Sequence, residues 1–216
     1  MQDSDTTYTI GAQICRHARR YLELPYLVCP LVGAHDSAEV FTIRRDGFDC
    51  VTLVETVLAE CLSEAHQSTF EDELRALRYR SAKVEWIARL HYFSDWLATN
   101  EARGVLSCVF PEFPAQSRTL SFLAHYPERR AQLKFLPLAE LASHRSRIVS
   151  GDILAFGTTR QDLDLAHTGF FERQSDGSET LIHATKTAGK VVAEPLEAFV
   201  ARFGATPGIL AYRLRV

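Results

Sequence analysis

Cys50, His167 and His183 are the residues of this 216-residue chain whose types and settings could together make and break an acyl bond. A thiol attacks a carbonyl carbon once its proton has been taken, so a nucleophilic cysteine needs a base, and the base needs a third group to fix its tautomer. Cys50 opens the run CVTLVETVLAECLSEA, in which Val54, Val57, Leu58, Cys61 and Leu62 recur at three- and four-residue spacing and predict a helix with one apolar stripe. Asp49, just before it, is suited to cap that helix. Cys50 then falls in the first turn, where the helix dipole lowers a thiol pKa and free backbone N–H groups can hold the negative oxygen of a tetrahedral intermediate. His167 opens HTGFF and His183 lies in LIHAT, with the Asp-Gly of ERQSDGSE between them. That order predicts a hairpin whose paired strands carry the two imidazoles side by side, on one face if the register suits. The residues alone leave two other readings open: a small buried thiol with two core histidines, or three zinc ligands without an evident fourth.

The elements that must position these groups follow from periodicity. Residues 1–47 hold a helix, Ile10 to Leu24, then a Pro- and Gly-punctuated loop. Residues 48–104 read as a helical half, with the Cys50 helix, FEDELRALRYR, and VEWIARLHYFSDWLATNEARG closing at Gly104. Residues 148–216 change to short apolar runs between turn residues: GDILAFG, AHTGFFE, TLIHAT, KVVA and, after the helix-like PLEAFVARFG, GILAYRLR. Helices first and a meandering antiparallel sheet second is an α+β layout. Residues 1–216 are expected to form one domain, since a chain that is 46% apolar and 10% aromatic can fill a single sizeable core.

Composition excludes some partners. The formal net charge is -3 with no basic face to neutralise phosphates, so no nucleic-acid partner is expected. Nowhere does the sequence offer the roughly 20 apolar residues of a membrane span. Five cysteines without a CxxC pair suit a reducing compartment, and the chain begins with acids before its first bases. A cytoplasmic protein without a signal peptide is the expectation.

The segments FDCVTLVETVLAE, RYR with RLHYFSDW, SGDILAF, HTGFF, LIHAT and GILAYRLR, spread from about Phe48 to Arg213, resemble the N-acetylmuramoyl-L-alanine amidase-like family, a branch of the papain-like NlpC cell-wall peptidase superfamily. The resemblance implies a papain-like α+β fold with Cys50 as nucleophile, His167 as base and His183 orienting it, without metal or cofactor. It also implies that His91, Asp95 and Trp96 line the substrate groove, with His91 and Asp95 four residues apart on one helical face. Tyr79 and Arg80 would bind a substrate carboxylate, and Asp49 would support Cys50. His17, His35, His66, His125 and His144 share no motif and are expected on the surface or in loops. The implied partner is a small-molecule or peptidyl substrate, carrier-bound thioesters included. Water as acceptor gives hydrolysis of a cell-wall-type peptide or small soluble amide; an amine or alcohol gives a cytoplasmic acyltransferase; a third alternative is a non-catalytic ligand-binding domain.

Overall fold

The computed structural model describes residues 9–216. Its helices are α1 (Ile10–Arg19), α2 (Cys50–His66), α3 (Phe70–Arg78), α4 (Phe93–Ala102), α5 (Leu141–His144) and α6 (Leu196–Phe203). Its strands are β1 (Val32–Ala34), β2 (Ser37–Val40), β3 (Leu106–Cys108), β4 (Gln116–Leu120), β5 (Arg129–Leu133), β6 (Ile153–Gly157), β7 (Leu165–Arg173), β8 (Glu179–Thr185), β9 (Lys190–Pro195) and β10 (Ile209–Leu214). The class is α+β, as the residue pattern predicts.

The strands of the second half form one antiparallel sheet in the order β3-β10-β6-β7-β8-β9, and β1–β2 and β4–β5 are separate hairpins. Both faces of the large sheet are buried, which is why its strands read as unbroken apolar runs. Ile153, Ala155, Phe170, Ile182 and Leu210 meet the helices of the first half, whereas Leu154, Phe156, Phe171, Leu181 and Ile209 meet Leu196 and Phe199 of α6. α2 lies under β7 and β8. The Asp-Gly turn joins β7 to β8 as expected, with Gly177 at φ +84°.

α2 is buried along most of its length, and two of its acids are buried with it. Glu55 pairs with Arg78 at 2.7 Å, both side chains 3% exposed, and Arg78 also donates to the Thr42 carbonyl. Glu60 accepts from Tyr21 at 2.6 Å, Arg20 at 2.8 Å and Arg45 at 2.5 Å, and bonds His17 at 2.9 Å. These pairs tie α2 to α1, to α3 and to the loop before Cys50. His17 is therefore not a surface residue but 2% exposed, drawn inward by the acceptor it satisfies.

Three predicted boundaries move. α1 stops at Arg19 instead of Leu24, because the chain turns at Glu23 (φ 72°) and pairs with the outer edge of β9 through Pro25 and Lys190. α3 stops at Arg78, since Tyr79 is extended and bridges Arg89. The segment from Val84 to Gly104 is not one helix: a single 3-10 turn at Trp86–Ala88 leads to extended chain, and α4 begins at Phe93, where the Asp164 carboxylate accepts the Ser94 N–H at 2.6 Å. His91 thus precedes α4 and shares no helical face with Asp95. Among the described residues no helix is long and apolar enough to cross a membrane.

The buried Glu55–Arg78 pair yields a stability test. Glu55→Ala strands the guanidinium and is expected to cost about 3–5 kcal/mol, whereas Glu55→Ala combined with Arg78→Met recovers much of it, because removing both charges removes the unpaired ion. Denaturant midpoints of the two variants decide this; equal loss in both would contradict it.

Candidate active site

Cys50 is the first residue of α2 and is half-buried. Asp49 caps the helix: its carboxylate accepts the Thr52 N–H at 2.7 Å while its own N–H donates to the Thr52 hydroxyl at 3.0 Å. The helix start does act to lower the thiol pKa as expected, but it is outweighed. Burial, and then the nearby charge of Asp49, push it up to about 12, against the backbone N–H groups of Thr168, Cys50 and Val51, which act the other way. At neutral pH the thiol keeps its proton.

The Thr168 N–H marks where α2 meets the sheet. The β7–β8 register runs from Arg173–Glu179 to Phe170–Ile182 and stops there, so the strand pair opens just before His167 and His183. Across this opening His167 Nε2 and His183 Nδ1 are 2.5 Å apart, as side-by-side placement on one face requires. Gly169 makes the approach possible, since a Cβ there would lie 2.8 Å from His183 Cβ and 2.8 Å from the Ile182 carbonyl. His183 is fully buried, its Nε2 lies 2.8 Å from Glu194 Oε1, and Arg202 donates to that same oxygen at 2.7 Å. The Phe199 ring packs on both imidazoles, its centroid 5.3 Å from His167 and 5.1 Å from His183.

Burial chiefly, with the neighbouring His183 and Arg202, pushes His167 down to about 3. A neutral imidazole keeps one ring proton and has one nitrogen lone pair, with which it can take up a second proton. Among the described residues no side-chain hydrogen bond reaches Cys50 Sγ, so proton transfer requires His167 and the sulfur to close on one another, a contact that commonly tightens only when substrate binds.

A groove of about 300 Å³ runs beside the start of α2, lined by Cys29, Asp49, Val51, Thr52, Arg89 and His91 among others. Of the residues expected to bind substrate, only His91 reaches it, its Nε2–H donating to the Trp86 carbonyl at 2.8 Å and its pKa lowered to about 4 by burial. Trp96 is not a groove residue but core, 0% exposed and stacked on Phe93 at 5.0 Å. Tyr79 is also buried, its hydroxyl given to Glu39 at 2.7 Å. Arg80 does bind a carboxylate, but it is that of Asp95, at 2.7 Å, and the pair borders a separate cavity of about 670 Å³. Asp95, also 3.6 Å from Arg129, is committed to cations within the protein.

The sequence reading missed Glu194, Arg202, Arg89 and the Thr168 N–H. For Glu194 a signal existed: Val192 stands opposite His183, and residue 194 is next on the same face of β9. Among the described residues, no group of three or more His, Cys, Asp or Glu side chains is disposed to hold a metal ion.

A family model described as N-acetylmuramoyl-L-alanine amidase-like (AmiA-like) matches residues 16–206. An N-acetylmuramoyl-L-alanine amidase from Bacteroides uniformis ATCC 8492 is 31% identical with a TM-score of 0.84, the match covering 96% of this chain and 99% of that chain. A Bacteroides fragilis structure provisionally named a xylanase is 27% identical with a TM-score of 0.80, covering 92% and 99%. A Legionella pneumophila protein at 21% identity and TM-score 0.81, covering 97% and 90%, shares the fold. No curated protein matches the chain.

The raised thiol pKa sets an alkylation test. A group with a pKa of about 12 is protonated throughout the neutral range, so the rate of iodoacetamide reaction at Cys50 should climb about tenfold per pH unit from pH 6 to 9 without levelling. Site-resolved mass spectrometry reads it, and a plateau below pH 7 would show a preformed thiolate and refute it.

Proposed function

Because the chain belongs to the N-acetylmuramoyl-L-alanine amidase-like family, we propose that this amide hydrolase works through an acyl-enzyme on Cys50 in a papain-like, NlpC-type arrangement. The observation that carries the proposal is the meeting of the α2 start with the backbone of Thr168, next to an imidazole whose far nitrogen is held by His183.

Cys50 Sγ attacks the amide carbonyl carbon, and the thiol proton passes to Nδ1 of His167, the ring nitrogen that His183 leaves free. The N–H groups of Cys50 and Val51 at the helix start hold the developing oxyanion. As the C–N bond breaks, His167 returns the proton to the leaving amine, giving a thioester on Cys50. Water, deprotonated by His167, then attacks the thioester and releases the acid and the thiol. Since both partners start neutral, the transfer from sulfur to imidazole happens during attack and not before it.

The family supports water as the acceptor over an amine or alcohol. The bond proposed for cleavage is the one in the name of the Bacteroides uniformis relative, between a muramoyl group and L-alanine. A groove of about 300 Å³ lies at the low end of the ~300–1,000 Å³ typical of small-ligand sites and suits a short soluble fragment better than a polymer strand.

Cys50→Ala is expected to lower hydrolysis of a soluble muramoyl-peptide amide by more than about 100-fold while leaving the melting temperature nearly unchanged, since only a sulfur is removed. Retained turnover would remove the nucleophile assignment. Substrate binding without turnover in the parent protein would leave a ligand-binding domain. In the same assay His183→Asn and His183→Gln should keep more activity than His183→Ala, because an amide can still bond the His167 ring; equal loss in all three would indicate direct proton transfer by His183.

A further inference from the structure

Glu194 is the last residue but one of β9, just before α6, and its Oε1 accepts from two donors, His183 and Arg202. Burial pushes the Glu194 carboxyl up, but the Arg202 and His183 contacts outweigh it and hold the group below its ordinary range, so it is an ionised acceptor. The nitrogen facing it, His183 Nε2, must then carry the proton. His183 itself is held below its ordinary pKa by burial, against the opposing effect of Glu194, so the ring is neutral and its Nδ1 has a lone pair. That lone pair faces His167 Nε2 at 2.5 Å, which must therefore be the donor. A neutral His167 protonated at Nε2 has one basic site left, Nδ1.

We infer that Glu194, anchored by Arg202, is a positioning residue: its carboxylate sets the tautomer of His183, and through it leaves Nδ1 of His167 as the free base at the open end of the β7–β8 pair. The inference rests on reading His167 as the base for Cys50. When His167 takes the thiol proton it becomes an imidazolium, and the Glu194 charge, one ring away, offsets it without accepting a proton. The charged and titratable groups facing His183 are His167, Glu194 and, through Glu194, Arg202. The Phe199 ring that covers both imidazoles adds no charge.

Two variants separate the parts of this role. Glu194→Gln can keep an amide oxygen in the Oε1 position, and with it both hydrogen bonds, but loses the charge. Glu194→Ala loses both. The Ala variant is expected to lower kcat by about 100-fold or more with KM little changed, as a triad whose base sits in the wrong tautomer does by up to ~10⁴-fold. The Gln variant should recover part of that loss. In both, the acid limb of the kcat/KM profile should move to lower pH, because a negative charge one ring away favours the imidazolium of the hydrogen-bonded pair and its removal disfavours it.

Long-range ¹H–¹⁵N spectra of the full chain give a readout independent of turnover. The parent protein should show His183 and His167 protonated at Nε2, and Glu194→Ala should bring His183 partly to the Nδ1–H form. An unmoved acid limb, or an unchanged His183 tautomer in a folded Glu194→Ala protein, would overturn the inference. Cys50→Ala keeps this separate from the catalytic reading. If it stays active while the tautomers respond to Glu194, the thiol assignment falls and the positioning role stands; if it is inactive while tautomers and acid limb ignore Glu194, the positioning role alone falls.

Discussion

The hydrogen bond between His167 and His183 exists only because residue 169 has no side chain. A Cβ at that position would press on His183 and the Ile182 carbonyl, and β8 could not lie close enough for the two rings to meet. The regular β7–β8 ladder ends at Phe170–Ile182, and beyond it the Thr168 N–H reaches the Cys50 thiol at the start of α2. One missing methyl group thus permits the ring-to-ring contact.

Burial then fixes the electrostatic character of the site. It raises the thiol and lowers both imidazoles, and neither the helix dipole nor the Glu194 charge reverses those shifts. The result is a pair of neutral groups at rest, for which orientation of the proton matters more than stored charge. Such a site depends on rigid supports, and the surroundings supply them: Phe199 against both rings, Asp49 closing the first turn of α2, and Glu194 held between His183 and Arg202.

The placement of α2 has its own cost. A helix buried along most of its length carries Glu55 and Glu60 inside, and each is stable there only because cations or donors from other parts of the chain come to meet it. The same contacts fix the groove wall, since Arg78, Glu55 and Arg89 border the cavity beside Asp49. These charged side chains are the fasteners of the central helix.

The α+β class, the helix opening at Cys50 with its Asp49 cap, and the hairpin that pairs the two histidines were legible in the sequence, because each rests on spacing within a few residues or on a two-residue turn. The groove residues were not. Trp96, Tyr79, Arg80 and Asp95 have the chemistry of ligand binders, but Phe93, Glu39 and the Arg80–Asp95 pair itself claim them, and those partners are chosen by packing. The break before α4 likewise depends on Asp164, 70 residues away from the Ser94 N–H it accepts. Periodicity determines which face of an element is buried; which polar groups meet across that buried space, and so which nitrogen or sulfur holds a proton, is decided only when distant segments remove water from one another.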